Sequence, residues 1–219
     1  MPIQAPRVPA LAARVPSQQR AVRTRSLLLD AARREFSVRG YAATTSKSIA
    51  DRAKVATGSF YQYFASKDVV LRELAATRLG AIASRSLGLL DADPLEVANA
   101  APDAALALAR TRLSAVVAMV TELHREDPAL HGVMTERRHA DPELDAIWTT
   151  GEHTLVHRVA VLLERWGTAN DPLALAFVLF GMVEGSIHAH VLGTPLVSDD
   201  RFTAALVDAL VRVVHPQLQ

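Results

Sequence analysis

Residues 44–67, TTSKSIADRAKVATGSFYQYFASK, constrain what this chain can fold into more than any other stretch. Thr45 and Ser46 carry hydroxyls suited to cap a helix start. Behind them Ile49, Ala50 and Ala53 share one apolar stripe of a short helix. The pattern breaks at Lys54-Val55-Ala56. Thr57 is placed to cap a second helix carrying Phe60, Tyr61, Tyr63 and Phe64, and Ser66 to cap a third beginning at Lys67. Two short helices across a tight turn form the helix-turn-helix layout, whose second helix enters the major groove of DNA.

The spacing separates scaffold from surface. Ile49, Ala53, Val55 and Phe60 are positioned to close a small core, with Ala50 small where the helices cross. Thr57, Ser59, Tyr61 and Gln62 are left outward, with the hydroxyl, phenol and amide groups that phosphate and base-edge hydrogen bonds require. Spacing alone also fits a plain helical hairpin with incidental polar residues.

The block Phe36-x3-Gly40-Tyr41-x2-Thr44-Thr45-x3-Ile49-Ala50-x2-Ala53, followed by Gly58-x2-Tyr61-x-Tyr63-Phe64-x2-Lys67-Asp68, resembles the DNA-binding domain of the TetR family of transcriptional regulators. Many fixed spacings agree at once over about residues 20–72. The resemblance implies an all-α chain: an N-terminal three-helix helix-turn-helix domain followed by a helical ligand-binding and dimerisation domain. It implies DNA contacts from Thr45, Lys47, Thr57, Gly58, Ser59, Tyr61, Gln62, Tyr63 and Lys67, with Tyr61 and Lys67 on phosphates. Lys54 departs from the pattern, standing where the family usually has the turn glycine, and a left-handed backbone there costs a non-glycine residue about 1 kcal/mol. Ala56 stands where a capping serine is common, so Thr57 is expected to take over as cap.

Charge divides the chain in the same way. Residues 1–80 hold 14 of the 24 Lys/Arg and 5 of the 23 Asp/Glu, giving +9 there and −8 in the remainder. A polyanion-binding half joined to one that is not would show this asymmetry. Cysteine is absent, which excludes a disulfide framework and fits a reducing cytoplasm.

Residues 1–19, with Pro2, Pro6, Pro9 and Pro16 among Arg7 and Arg14, are expected to form a disordered basic arm rather than a secretory signal. Thr24 to Arg39 reads as a helix stopped by Gly40, with Leu28, Ala32 and Phe36 inward and Arg33 and Arg34 outward. A linking helix is expected from Lys67 to about Leu90, then a boundary from Asp91 to Pro102. Helices follow at about Asp103–Arg125, Pro128–Arg138, Pro142–Trp166, Pro172–Leu192 and Asp199–Val214. The expected domains are 20–72 for DNA and 73–219 for effector and dimerisation. The longest unbroken apolar run, Leu173 to Val183, is far short of the ~20 residues of a membrane span, so no membrane partner is expected.

The helix from Asp103 is apolar nearly all round and is expected to be central and buried. Its Arg110 and Ser114 either meet the polar end of a ligand or lie at the surface. Trp148 and Phe177 are candidate aromatic walls of a pocket, with Glu152 and Glu184 to orient a polar or cationic group. The same aromatics also suit an ordinary core. Val178, Gly181, Gly185 and Ala189 form a stripe of small residues, and Phe202, Leu206, Leu210 and Val213 form an apolar face on the last helix. Together they are the expected subunit interface, and in the TetR family the last two helices typically build a four-helix dimer bundle.

His153 and His157 are four apart, as are Glu184 and His188, a spacing at which two helical side chains can share a metal ion. Such pairs are usually incidental, and neither a metal nor a cofactor is expected. No G-x-S-x-G or H-E-x-x-H occurs to support an enzyme. A helical adaptor would explain the apolar helices but not the basic, tyrosine-bearing head. The residues and the resemblance converge on a cytoplasmic, homodimeric regulator that binds double-stranded operator DNA, most simply a repressor released by a small-molecule effector.

Overall fold

The computed structural model describes residues 14–90, 102–167 and 171–214. Among them are nine α-helices and no β-strand. They are α1 (Arg14–Ala43), α2 (Ser46–Ala53), α3 (Thr57–Tyr61), α4 (Lys67–Leu90), α5 (Pro102–Glu126), α6 (Pro128–Arg138), α7 (Pro142–Trp166), α8 (Pro172–Ile187) and α9 (Asp199–Val214). A single π-helical turn, His188–Leu192, extends α8. The chain divides into two compact units between Leu71 and Arg72, inside α4.

In the first unit α1 begins at Arg14, ten residues before the start expected at Thr24, so the end of the expected arm is helical. Pro16 falls in the first turn, where the N–H it lacks would have had no intrahelical partner. The rest of the arm, residues 1–13, lies outside the described residues. Gly40 interrupts the helix at φ 70°, a left-handed value that suits glycine. Leu28, Ala32 and Phe36 meet Ile49, Ala50, Phe60 and Phe64 in a core from which water is excluded. Val55, expected in that core, is half-buried at its edge.

Polar ties fix the helices around this core. The carboxylate of buried Glu35 on α1 accepts from Arg52 Nε of α2 at 2.6 Å and from Arg39 Nη1 at 3.3 Å. Burial alone would raise the Glu35 pKa, but the hydrogen bonds from Arg52 and Ser48 outweigh it and hold the pKa below its ordinary value. Lys67 Nζ donates to the carbonyls of Tyr41 and Thr44, each at 2.7 Å, and lies 4.0 Å from the Tyr41 ring centroid. The Tyr41 hydroxyl in turn donates to Asp68.

The second unit repeats one device at its helix starts. Asp127-Pro128, Asp141-Pro142 and Asp171-Pro172 each open a helix, with the aspartate as N-cap and the proline in the first turn. Each aspartate accepts from a backbone amide three residues on: Leu130 at 3.1 Å, Leu144 at 3.2 Å and Ala174 at 3.0 Å. Proline supplies a helical φ at a position whose N–H needs no partner. Asp141 also receives Arg72, whose Nη2 and Nε lie 2.8 Å from Oδ1 and 2.9 Å from Oδ2.

The core of this unit forms where α7 packs along α8 and α9 along α5. Val116, Val117 and Val120 of α5 are buried there, while Leu106, Leu113 and Met119 are only partly so. The full burial expected for α5 is therefore not found: one stripe is buried among its neighbours, and the flanking apolar residues pack against the core only in part. Leu206 and Leu210, expected at a subunit interface, are 7% and 1% exposed and belong to the core of the chain itself. Asp103–Glu126 and Pro172–Leu192 are each long and apolar enough on average to cross a membrane. The run-length reading missed this because isolated polar residues break runs without greatly lowering an average. Both helices pack a face into the core.

Two stability measurements test these arrangements. Asp141→Ala removes a cap and leaves Arg72 without its best partner, so unfolding at neutral pH should become easier by about 2–4 kcal/mol. Burial raises the Asp141 pKa, but Arg72 and the helix amides hold it below its ordinary value. The contribution is therefore present above the unfolded carboxylate pKa of about 4 and lost as pH falls through the lower folded value. Denaturant melts of the two proteins should converge in strong acid, and a pH-independent gap would refute the ionic account. Lys54, the one described non-glycine residue at positive φ (57°), ends α2 in the left-handed region. Lys54→Gly should stabilise the first unit by about 0.5–1 kcal/mol, and a lower melting temperature would show that the lysine side chain contributes more than the backbone strain costs.

Candidate nucleic-acid interface and ligand cavity

The turn between α2 and α3 is built from its ends inward. Thr45 caps α2: its Oγ1 accepts from Ser48 N at 3.0 Å, and Ser48 Oγ accepts from Thr45 N at 3.0 Å. This reciprocal box occupies the Thr45 hydroxyl that was expected on DNA. Lys47 is exposed and pairs with Asp51 at 2.6 Å. The N-cap of α3 is Ala56, which makes no side-chain capping bond, so Thr57 is the first helical residue and not the cap expected. The helix ends at Tyr61. Tyr63 and Phe64 lie past it, their amides donating to Phe60 O at 3.0 Å each.

Phe60 is fully buried, with Phe64 at 5.8 Å and Tyr61 at 5.3 Å between ring centroids. This anchor turns the other side of α3 to solvent. Tyr61 is 58% exposed. Gly58 and Gln62 are exposed beside it, and Thr57, Ser59 and Tyr63 are partly covered. A hydroxyl- and amide-bearing ridge on a rigid base can meet phosphate oxygens and base edges. Lys67, expected on phosphates, directs its ammonium to the carbonyls of Tyr41 and Thr44 and lies over the Tyr41 ring within its own unit.

In the second unit α4, α5, α7, α8 and α9 enclose an apolar cavity of about 100 Å³. Leu113, Val116 and Val120 of α5, Leu155 and Val159 of α7, and Leu179, Phe180 and Val183 of α8 line it. Polar groups enter from Ser86, which is buried, and from Glu184. Of the ligand residues expected from sequence, Glu184 is in this wall and five are elsewhere. Arg110 pairs with Asp208 in an exposed ion pair, and Ser114 does not line the cavity. Phe177 is 66% exposed, whereas Phe180, three residues on, faces the cavity. Trp166 lines the cavity in place of Trp148. Glu152 accepts from Arg138 Nη1 at 3.3 Å, and Arg138 also lies over the ring of Trp148 at 5.6 Å.

Trp148 borders a second polar group, of which helical spacing indicates Glu184 and His188 but not His124 or His131. Its ring centroid is 5.8 Å from His131, and His131 is 5.1 Å from His124 and 4.7 Å from His188. Glu184 Oε1 lies 3.1 Å from His188 Nε2 and 3.7 Å from His124 Nε2. Burial lowers the His131 pKa to about 4, reinforced by any charge on His188 and His124. Burial would raise that of Glu184, but hydrogen bonds from His124 and His188 hold it well below the usual carboxylate range. These histidines come from different helices, so no single helical stripe contains them. Of the two pairs noted in the sequence, Glu184 and His188 belong to this group, whereas His153 and His157 lie exposed on α7.

Residues 28–74 match the model of bacterial regulatory proteins of the tetR family, and residues 110–213 match that of the tetracyclin repressor-like C-terminal domain. The transcriptional repressor KstR2 of Mycobacterium tuberculosis is 40% identical over 74 residues, which are 33% of this chain and 37% of the repressor. The match therefore spans little more than a third of that relative. A TetR-family regulator from Mesorhizobium loti superposes with a TM-score of 0.68 at 20% identity, covering 90% of this chain and 97% of its own. GusR of Salmonella enterica superposes at 0.63 and 18% identity, covering 93% and 98%. With the helix-turn-helix at one end and the tetracyclin repressor-like helical domain at the other, this chain belongs to the TetR family of transcriptional regulators.

Proposed function

We propose that the protein is a homodimeric repressor that binds a two-fold operator and is released by a small apolar effector. The observation that carries the reading is α3: Phe60 fixes it from beneath while Tyr61, Gln62 and Gly58 stand open above. In this reading Gln62, Thr57 and Ser59 meet base edges and Tyr61 meets phosphate, with Lys47 adding charge at the flank. Lys67 and Thr45 hold the motif in shape. The positive charge of residues 1–80 supplies the sequence-independent attraction. The work is done in the cytoplasm and needs no catalytic group.

The dimer reading rests on an uncovered face of α8. Phe177 and Val178 are 66% and 50% exposed, and Gly181, Gly185 and Ala189 continue that face. A side chain added at Gly181 or Gly185 would meet nothing within 4 Å in this chain, so internal packing does not require glycine there. Close approach of a second backbone does. Phe202 and Val213 of α9 can join this contact, while Leu206 and Leu210 support it from within the core. Two recognition helices must then sit about 34–36 Å apart to read successive major grooves.

The effector reading rests on the cavity, whose walls are apolar apart from Ser86 and Glu184. Its α4 wall, Ile82, Ser86 and Leu90, belongs to the helix whose first turn lies in the DNA-binding unit. A ligand that favours a displaced α4 weakens operator binding by its differential affinity, typically about 1–3 kcal/mol.

Gel shifts on genomic fragments test operator binding directly. Tyr61→Phe should weaken every bound fragment by a similar factor, whereas Gln62→Ala should alter which fragments are preferred. Wild-type affinity and preference in both variants would remove α3 from the interface. For the dimer, Gly185→Leu should raise the dissociation constant in sedimentation equilibrium by more than about tenfold. An unchanged dimer would place the interface on another face.

A further inference from the structure

Four side chains from three helices converge beside the cavity: His124 from α5, His131 from α6, and Glu184 and His188 from the end of α8. The ring nitrogens available from the three histidines lie within 4.8 Å of one another. His124 Nε2 and His188 Nε2 are 3.0 Å apart, and Glu184 Oε1 is 3.1 Å from the second and 3.7 Å from the first. Ligands at about 2.0–2.1 Å in a tetrahedral zinc shell lie about 3.3–3.4 Å from each other, the range bracketed by the three distances among His124, His188 and Glu184.

The placement of the ring nitrogens argues for a cation. His124 Nδ1 is 2.8 Å from the Val120 carbonyl, which can only accept, so that nitrogen carries hydrogen. Nε2 is then the ring nitrogen left to serve as a ligand, and it faces His188 Nε2 and Glu184 Oε1. His131 is 3% exposed, and neither of its ring nitrogens has a hydrogen-bond partner. An unpartnered buried imidazole is costly, and an ion that accepts the lone pair of one His131 nitrogen removes that nitrogen's share of the cost. Val120 supplies the backbone carbonyl that commonly orients a metal-bound imidazole through its other nitrogen. The π-helical turn begins at His188, a local widening of the kind often found at functional sites. The Arg78 charge also acts on His131; burial lowers the Arg78 pKa against the opposing charges of Glu126, Asp127 and Glu184, and its guanidinium donates to the Leu123 carbonyl.

We propose that His124, His131, His188 and Glu184 bind one divalent first-row transition metal ion, zinc by the preference of three imidazoles and a carboxylate for a tetrahedral shell. The ion ties α5, α6 and the end of α8 together. Because Glu184 also lines the cavity, the ion stands at the cavity wall.

Cobalt(II), a visible-absorbing substitute for zinc, tests this on the tag-free full chain after chelator treatment and removal of the chelator. Titration should give the intense visible bands of a four-coordinate ion, saturating at one equivalent per chain and displaced by zinc. His131→Gln and His188→Gln should each raise the dissociation constant by more than about tenfold, while His153→Ala/His157→Ala should leave it unchanged. Far-UV circular dichroism of each variant separates ligand loss from unfolding. If neither glutamine variant folds, X-ray absorption of the zinc-loaded wild type decides: three imidazoles in the shell support the site, and fewer than three overturn it. Absence of visible bands at excess cobalt, wild-type affinity in both folded glutamine variants, or loss of binding in the His153/His157 variant would also overturn it.

Discussion

A chain made of helices satisfies its backbone within each helix and leaves the ends to be satisfied by something else. That constraint organises this molecule. Three aspartate-proline pairs define where α6, α7 and α8 begin, and Thr45 with Ser48 does the same for α2. Fixing a start also fixes which residues of the following turns face inward. The Asp141 cap is joined to α4 through Arg72, so a local end condition becomes a tertiary tie. Glu35 and Lys67 serve the first unit in a similar way, joining helices through charged groups held against the core.

The same chemistry explains which parts of the fold could be read from the chain. Helix ends were legible because aspartate, proline and glycine act locally: α6, α7 and α9 begin and end where the residues indicate. The helix-turn-helix was legible because its core positions recur at fixed spacing. The start of α3 was not, since Ala56 offers no capping group and the helix forms around Phe60 instead. The cavity was least legible. α8 is apolar on nearly every side, so periodicity cannot decide whether Phe177 or Phe180 points inward. Trp148 and Trp166 pose the same choice on α7. Packing against α4 and α5 settles both, and that information is not local to either helix.

Glu184 joins two environments that differ sharply in polarity. Toward one side lie Val183, Leu179 and Phe180, and toward the other lie His124 and His188. A carboxylate in the cavity wall would be costly if it were isolated. The histidines make it tolerable, and they also fix its orientation. An effector with a polar end would thus meet a group whose position is set by partners outside the cavity.

The size of that cavity has a consequence for sensitivity. At about 100 Å³ it is smaller than the roughly 300–1,000 Å³ of typical ligand sites, so a larger molecule binds a form in which the walls have parted. The apparent affinity is then the intrinsic affinity reduced by the fraction of time the open form exists. A methylene gained or lost at Val183 or Leu179 changes that fraction whether or not the residue touches the ligand. The concentration at which such a regulator responds can therefore be reset from the packing of its closed state, leaving the recognition of both DNA and ligand as it was.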